Sequence, residues 1–70
     1  MRWKIQVQGT IARWFDHRGF GFIKVEDQPN DIFVHVSDVK GFVNPRTGDD
    51  VEFEVQDTYK GPRAVNVELT

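Results

Sequence analysis

Two short segments with strict period-two alternation constrain this chain more than any other feature. They are Arg18-Gly19-Phe20-Gly21-Phe22-Ile23-Lys24-Val25 and Asp31-Ile32-Phe33-Val34-His35-Val36-Ser37. Successive side chains of a strand point to opposite faces, and aromatic and β-branched residues suit strands, so both segments read as β. In the first, Phe20, Phe22 and Lys24 share one face and Gly21, Ile23 and Val25 the other. In the second, Asp31, Phe33, His35 and Ser37 oppose Ile32, Val34 and Val36. Burying the Phe side would also bury Lys24, Asp31 and His35, and unpartnered buried polar groups are expensive. Burying the aliphatic side carries no such cost. The aliphatic set is therefore the predicted core, and Phe20, Phe22, Phe33 and His35 are predicted to face solvent. Clustered exposed rings mark a binding surface, and flat rings suit a flat partner.

The remaining composition narrows the class. Seventy residues hold one domain, read as spanning 1–70, with a small core and modest stability. Hydrophobic content of 39% and charged content of 29% fit a globular chain rather than a disordered one. There is no cysteine, so no disulfide frame or Cys zinc site is expected, and a reducing cytoplasm is the default location. No long apolar run opens the chain, so neither a signal peptide nor a membrane span is expected. The net charge of −2 argues against an extended basic footprint on duplex phosphates. A nucleic-acid ligand would instead be held by stacking and a few placed cations.

Taken in order, Met1 to Ala12 alternates as a first strand. Trp3, Ile5, Val7 and Ile11 share one face, and Gly9 marks an expected bulge or bend. Continued parity places Trp14 on the polar side, whereas a bulge near Arg13 reverses that. Asp16 to Gly19 is a turn, and Glu26 to Asn30 a hairpin loop. Ser37 to Gly41 reads as one helical or 3₁₀ turn, with Ser37 as its N-cap and Gly41 closing it. Asn44 to Asp50 is a loop rich in turn residues. Val51, Phe53 and Val55 then point inward, Gln56 to Pro62 connects, and Val65, Val67 and Leu69 point inward on the last strand. Five short strands with no long helix predict an all-β, five-stranded antiparallel barrel, because closure removes exposed edges.

The two opening segments resemble the motif pair of the cold-shock domain family, small OB-fold proteins that bind single-stranded RNA and DNA. Arg18-Gly19-Phe20-Gly21-Phe22-Ile23 is similar to the first motif, and Ile32-Phe33-Val34-His35-Val36 to the second. Trp14-Phe15 resembles the aromatic pair ahead of them, and Lys60-Gly61-Pro62-Arg63-Ala64-Val65-Asn66-Val67 the family's last loop and strand. The resemblance is strongest over 9–68. It departs in four places. The Trp-Phe pair sits one residue nearer the glycine motif, so either Arg13 holds the first aromatic's place or the first turn is one residue shorter. Val36 replaces an aromatic, the loop carrying Phe42 is short, and Trp3 has no family counterpart.

The resemblance implies a platform of Trp14, Phe20, Phe22, Phe33 and His35, extended by Phe42, on which unpaired bases stack. Which of Trp14 and Phe15 reaches the surface is left open. Lys24 and Arg18 adjoin the Phe face and are assigned to phosphates, with Arg13; Lys60 and Arg63 rest on the loop resemblance alone. His35 is read as a stacking or hydrogen-bonding ring, since neither it nor His17 has ligand-spaced partners, and no metal is expected. Ser37 and Asp38 beside it read as a polar turn rather than a triad. Gly19-x-Gly21 lies within a strand and is no phosphate loop. The expected function is single-stranded RNA or DNA binding with RNA-chaperone action. No catalysis, cofactor, small-molecule substrate or membrane is involved, and a monomer is expected. The alternative is a protein-interaction or self-association module using the same rings, for which a constitutive dimer would be the signature.

Overall fold

The computed structural model describes residues 6–70, so the expectations for Trp3 and Ile5 lie outside the described residues. The strands are β1 (Val7–Phe15), β2 (Phe20–Lys24), β3 (Ile32–His35), β4 (Asp50–Thr58) and β5 (Gly61–Leu69). They close into a barrel in the order β1-β2-β3-β5-β4. Four seams are antiparallel, as expected. The fifth is parallel, at Phe33 opposite Arg63, where β5 closes the barrel against β3. Closure shortens the strand edge left to template aggregation.

The alternation sorts the side chains as the charge argument requires. Ile11, Ile23, Val34 and Phe53 are almost fully buried, with Val51, Val67 and Ala64 around them. No charged or polar side chain among the described residues is buried. Phe53 is the largest core side chain, and it comes from β4 rather than from the aromatic strands.

Two bulges reset the parity that simple counting assumes. Ile11 pairs with Ile23 but Arg13 with Phe22, so Ala12 is the extra residue on β1. Gly9, expected as a bulge or bend, is in regular register and not a bulge, and it is a point of close approach: a Cβ there would lie 2.6 Å from Ile23 Cγ2. On β5, Glu68 pairs with Glu52 and Val65 with Glu54, which leaves Asn66 and Val67 facing Phe53 alone. Asn66 takes a left-handed φ of 52°, a conformation asparagine tolerates. Val67 and Ala64 are consequently the buried pair, and the expectation of Val65 and Leu69 inward is corrected. Val55 is exposed as well, because it lines an open apolar mouth of the barrel with Val7, Val25 and Ile32.

Between β3 and β4 lie two 3₁₀ turns, Val36–Asp38 and Lys40–Phe42, where one was expected. The cap of the first is His35, whose ring accepts the Ser37 N–H, and not Ser37 itself. The expected Gln56–Pro62 connection shrinks to a two-residue turn, Tyr59-Lys60, with Thr58 paired to Gly61.

Candidate nucleic-acid interface

The Ala12 bulge decides which side chains of β1 meet the Phe face. A one-residue insertion exchanges the faces of everything beyond it. Arg13 and Phe15 turn outward, opposite Phe22 and Phe20, and Trp14 turns inward opposite Gly21. The bulge is anchored by the loop before β4: Ile11 N–H donates to the Asp49 carbonyl at 2.8 Å, and Gly48 N–H to the Ile11 carbonyl at 2.8 Å. Trp14 lies half-buried against the core and donates its Nε1–H to Asn44 Oδ1 at 3.1 Å. Its ring covers Gly21, where a Cβ would stand 2.6 Å from Trp14 Cε3. Continued parity, which put Trp14 on the outer face, is thus corrected, and the alternative of a bulge near Arg13 holds. Phe15, 39% exposed, is the ring of that pair on the aromatic face. Gly21 serves the approach of Trp14 rather than that of a ligand.

The outer face of β1, β2 and β3 is a grid. One row runs Arg13, Phe22, Phe33 and on to Arg63 of β5; the next runs Phe15, Phe20 and His35. Ring centroids are 5.3 Å apart for Phe15–Phe20, 5.8 Å for Phe20–Phe33 and 6.1 Å for Phe22–Phe33. These tilted and edge-on contacts suit the quadrupoles of neighbouring rings and brace the cluster while leaving it half-exposed. Arg13 places its guanidinium carbon 5.3 Å from the Phe22 centroid, the geometry of a cation over a ring face. His35 Nδ1 accepts the Ser37 N–H at 3.1 Å and contacts Ser37 Oγ at 2.9 Å. The half-buried ring is thereby oriented by the turn, with Nε2 as the nitrogen left to meet a ligand.

The cations differ in how free they are. Arg63 donates from Nε and Nη2 to Asp38 Oδ2, at 2.8 and 2.5 Å, which ties its charge to the 3₁₀ turn. That pairing also takes Asp38 away from His35 and leaves no triad. Lys24 is exposed but lines a cleft with Glu26, Asp50 and Glu52, whose charges oppose a phosphate. Arg18 is exposed on the tight turn that begins at Phe15, whose carbonyl accepts the Arg18 and Gly19 N–H groups at 3.0 and 2.8 Å. Lys60 is exposed on the β4–β5 turn. Phe42 is 74% exposed on the second 3₁₀ turn, with a left-handed φ of 53°. A bulky residue pays of order 1–2 kcal/mol for that conformation. Phe42 stands apart from the ring contacts of the grid.

The profile of the "'Cold-shock' DNA-binding domain" matches residues 7–70. The chain belongs to the cold-shock domain family. It is 46% identical over 65 residues to cold shock-like protein CspC of Buchnera aphidicola, covering 89% of this chain and 93% of that protein. CspC of Escherichia coli K12 gives the same identity and coverage. Cold shock protein CspA of Staphylococcus saprophyticus is 48% identical over 63 residues, covering 86% of this chain and 92% of that one. Among solved structures, Drosophila Unr CSD456 superposes with a TM-score of 0.78 at 26% identity, over 96% of this chain and 27% of that longer one. Cold-shock domains are nucleic-acid-binding OB folds and not enzymes, and the barrel described above is one of them. No helix among the described residues is long and apolar enough to cross a membrane.

Two features escaped the sequence. The Asn44 bond to Trp14 and the Asp38–Arg63 pair each join residues far apart in the chain, so no local pattern announces them. The bulge at Ala12 is the alternative foreseen near Arg13, and the Trp-Phe pair, one residue too near the glycine motif, was its local signal.

Proposed function

We propose that this cold-shock domain binds single-stranded RNA or DNA by stacking unpaired bases on Phe15, Phe20, Phe22 and Phe33. The observation that carries the reading is the half-exposed ring grid on the outer face of β1–β3, set over an aliphatic interior. Rings are sequence-tolerant platforms because every base has a π-face, and bases already stacked in a duplex are not available to them. Arg13 and Arg18 border the grid and meet phosphates, with Lys24 weakened by its acidic neighbours. His35 Nε2 hydrogen-bonds to a base, and Phe42 adds a ring beside the main path. Trp14 acts from beneath, through the cover it gives Gly21, and reports binding by its fluorescence. The domain works as a monomeric, cytoplasmic RNA chaperone that holds transient hairpins open and so affects translation or transcription.

Titration with a pyrimidine-rich oligonucleotide, single-stranded and then annealed to its complement, tests the reading. The single strand should bind with a shallow salt dependence, in keeping with few phosphate contacts, and the duplex much more weakly. Equal affinity for the two forms contradicts it. A stable dimer in gel filtration that dissociates only when the Phe face is mutated would favour self-association instead.

A further inference from the structure

Tyr59 is 95% exposed, more than any other large apolar side chain described, and the function proposed above gives it no part. It sits on the two-residue turn between β4 and β5, next to the parallel seam that joins β5 to Phe33. We propose that Tyr59 is an additional base-stacking subsite, which carries a single strand off Phe33 and onto the tip of the β4–β5 hairpin. The inference rests on the reading of the ring grid as a single-strand platform and lengthens it by a nucleotide position.

Three observations support it. Phe33 and Tyr59 line one cleft of about 550 Å³, with Lys60, Pro62 and Arg63 as its other principal walls, so the subsite is continuous with the grid. That size falls within the range of small-ligand sites. The turn is held in place: Thr58 Oγ1 donates to the Gly61 carbonyl at 2.6 Å and accepts the Lys60 N–H at 3.2 Å. A pre-ordered turn leaves less backbone entropy to lose when a base stacks on the ring it carries. Finally, the cleft offers a cation where a backbone phosphate would follow. Lys60 Nζ lies 5.8 Å from the Tyr59 centroid, and no ion pair engages it among the described residues, whereas Arg63 is committed to Asp38. Asp57, across from Pro62, is the acid of the hairpin stem, and it disfavours an acidic peptide as occupant as much as it does a phosphate. What distinguishes a nucleic acid is the open ring face beside the free ammonium.

The test is a length series of oligothymidylates from about four to about nine nucleotides, bound to the wild-type chain, Tyr59→Ser and Tyr59→Phe. Tyr59 makes no contribution to the core, so Tyr59→Ser should melt with the wild type. Short oligomers that span only the grid should bind all three proteins alike. Oligomers long enough to reach the hairpin should bind Tyr59→Ser about 5- to 100-fold more weakly than wild type, with Tyr59→Phe retaining the affinity. A Tyr59→Ser variant that loses nothing at any length, or loses equally at every length, overturns the subsite. Failure of the wild-type chain to bind any oligomer overturns the platform reading itself, and so separates the two failures.

Discussion

The β1–β3 face and the β4–β5 face are made of the same kind of strand and differ in what they point outward. The first presents Phe15, Phe20, Phe22, Phe33 and His35 with Arg13 over one ring. The second sets Glu52 directly opposite Glu68, a like-charge pair that sheets ordinarily avoid. Its repulsion is softened from outside, by Gln8 Nε2 on Glu52 at 3.1 Å and Lys40 Nζ on Glu68 at 3.2 Å. A net charge of −2 is thus the sum of two unlike surfaces and describes neither. The acidic flank around Glu52 and Glu68 repels phosphates, so on the proposed reading it keeps a strand off that part of the β4–β5 face and on the rings and the hairpin tip.

The sharpest way to break that contrast is to damage the ringed side. Phe22→Ala or Phe33→Ala should each lose about 1–3 kcal/mol of oligonucleotide affinity in a fluorescence titration if, as proposed, each ring carries a stacked base. Unchanged binding in both variants would mean that the grid is not the site. Gly21→Ala should lower stability by about 1–3 kcal/mol in urea unfolding, because the new methyl meets the Trp14 ring and the Arg13 carbonyl. A neutral outcome there would show that Trp14 does not lie over Gly21 in solution. Phe42→Gly should move stability and binding in opposite directions. Relief of the left-handed φ should raise stability by up to about 1 kcal/mol, while the loss of an exposed ring weakens binding. Loss of both together would place Phe42 in the packing instead. On the acidic side, Glu52→Lys turns a like-charge pair into an opposite one and should add only about 0.2–1 kcal/mol of stability. Its effect on oligonucleotide affinity should be smaller than that of either Phe variant, and a larger one would extend the site onto β4.

Much of this was readable from residue order because it depends on local alternation. Lys24, Asp31 and His35 share a face with the Phe residues, and that alone was enough to send the rings outward and Ile23, Ile32 and Val34 inward. Alternation fails at an inserted residue, and the failure propagates. Beyond Ala12 it moved Trp14 from the outer face to the inner one, and beyond Asn66 it put Ala64 in the core where Val65 was expected. The cations were legible as residues but not as free charges. Arg63 and Lys24 look alike in the sequence, yet one is bound to Asp38 and the other stands among carboxylates.

The sequence by itself determined the class of fold and the sidedness of β2 and β3, because the cost of burying charge is set by which residues alternate with which. Only the tertiary structure decided which β1 side chains join the rings, since the Ala12 bulge is held by Gly48 and Asp49 from a distant loop. It likewise decided the partner of Arg63 and placed Tyr59 beside Phe33, through a seam between strands that are not neighbours in the chain. Those outcomes turn on long-range contacts, which periodicity along the chain does not encode.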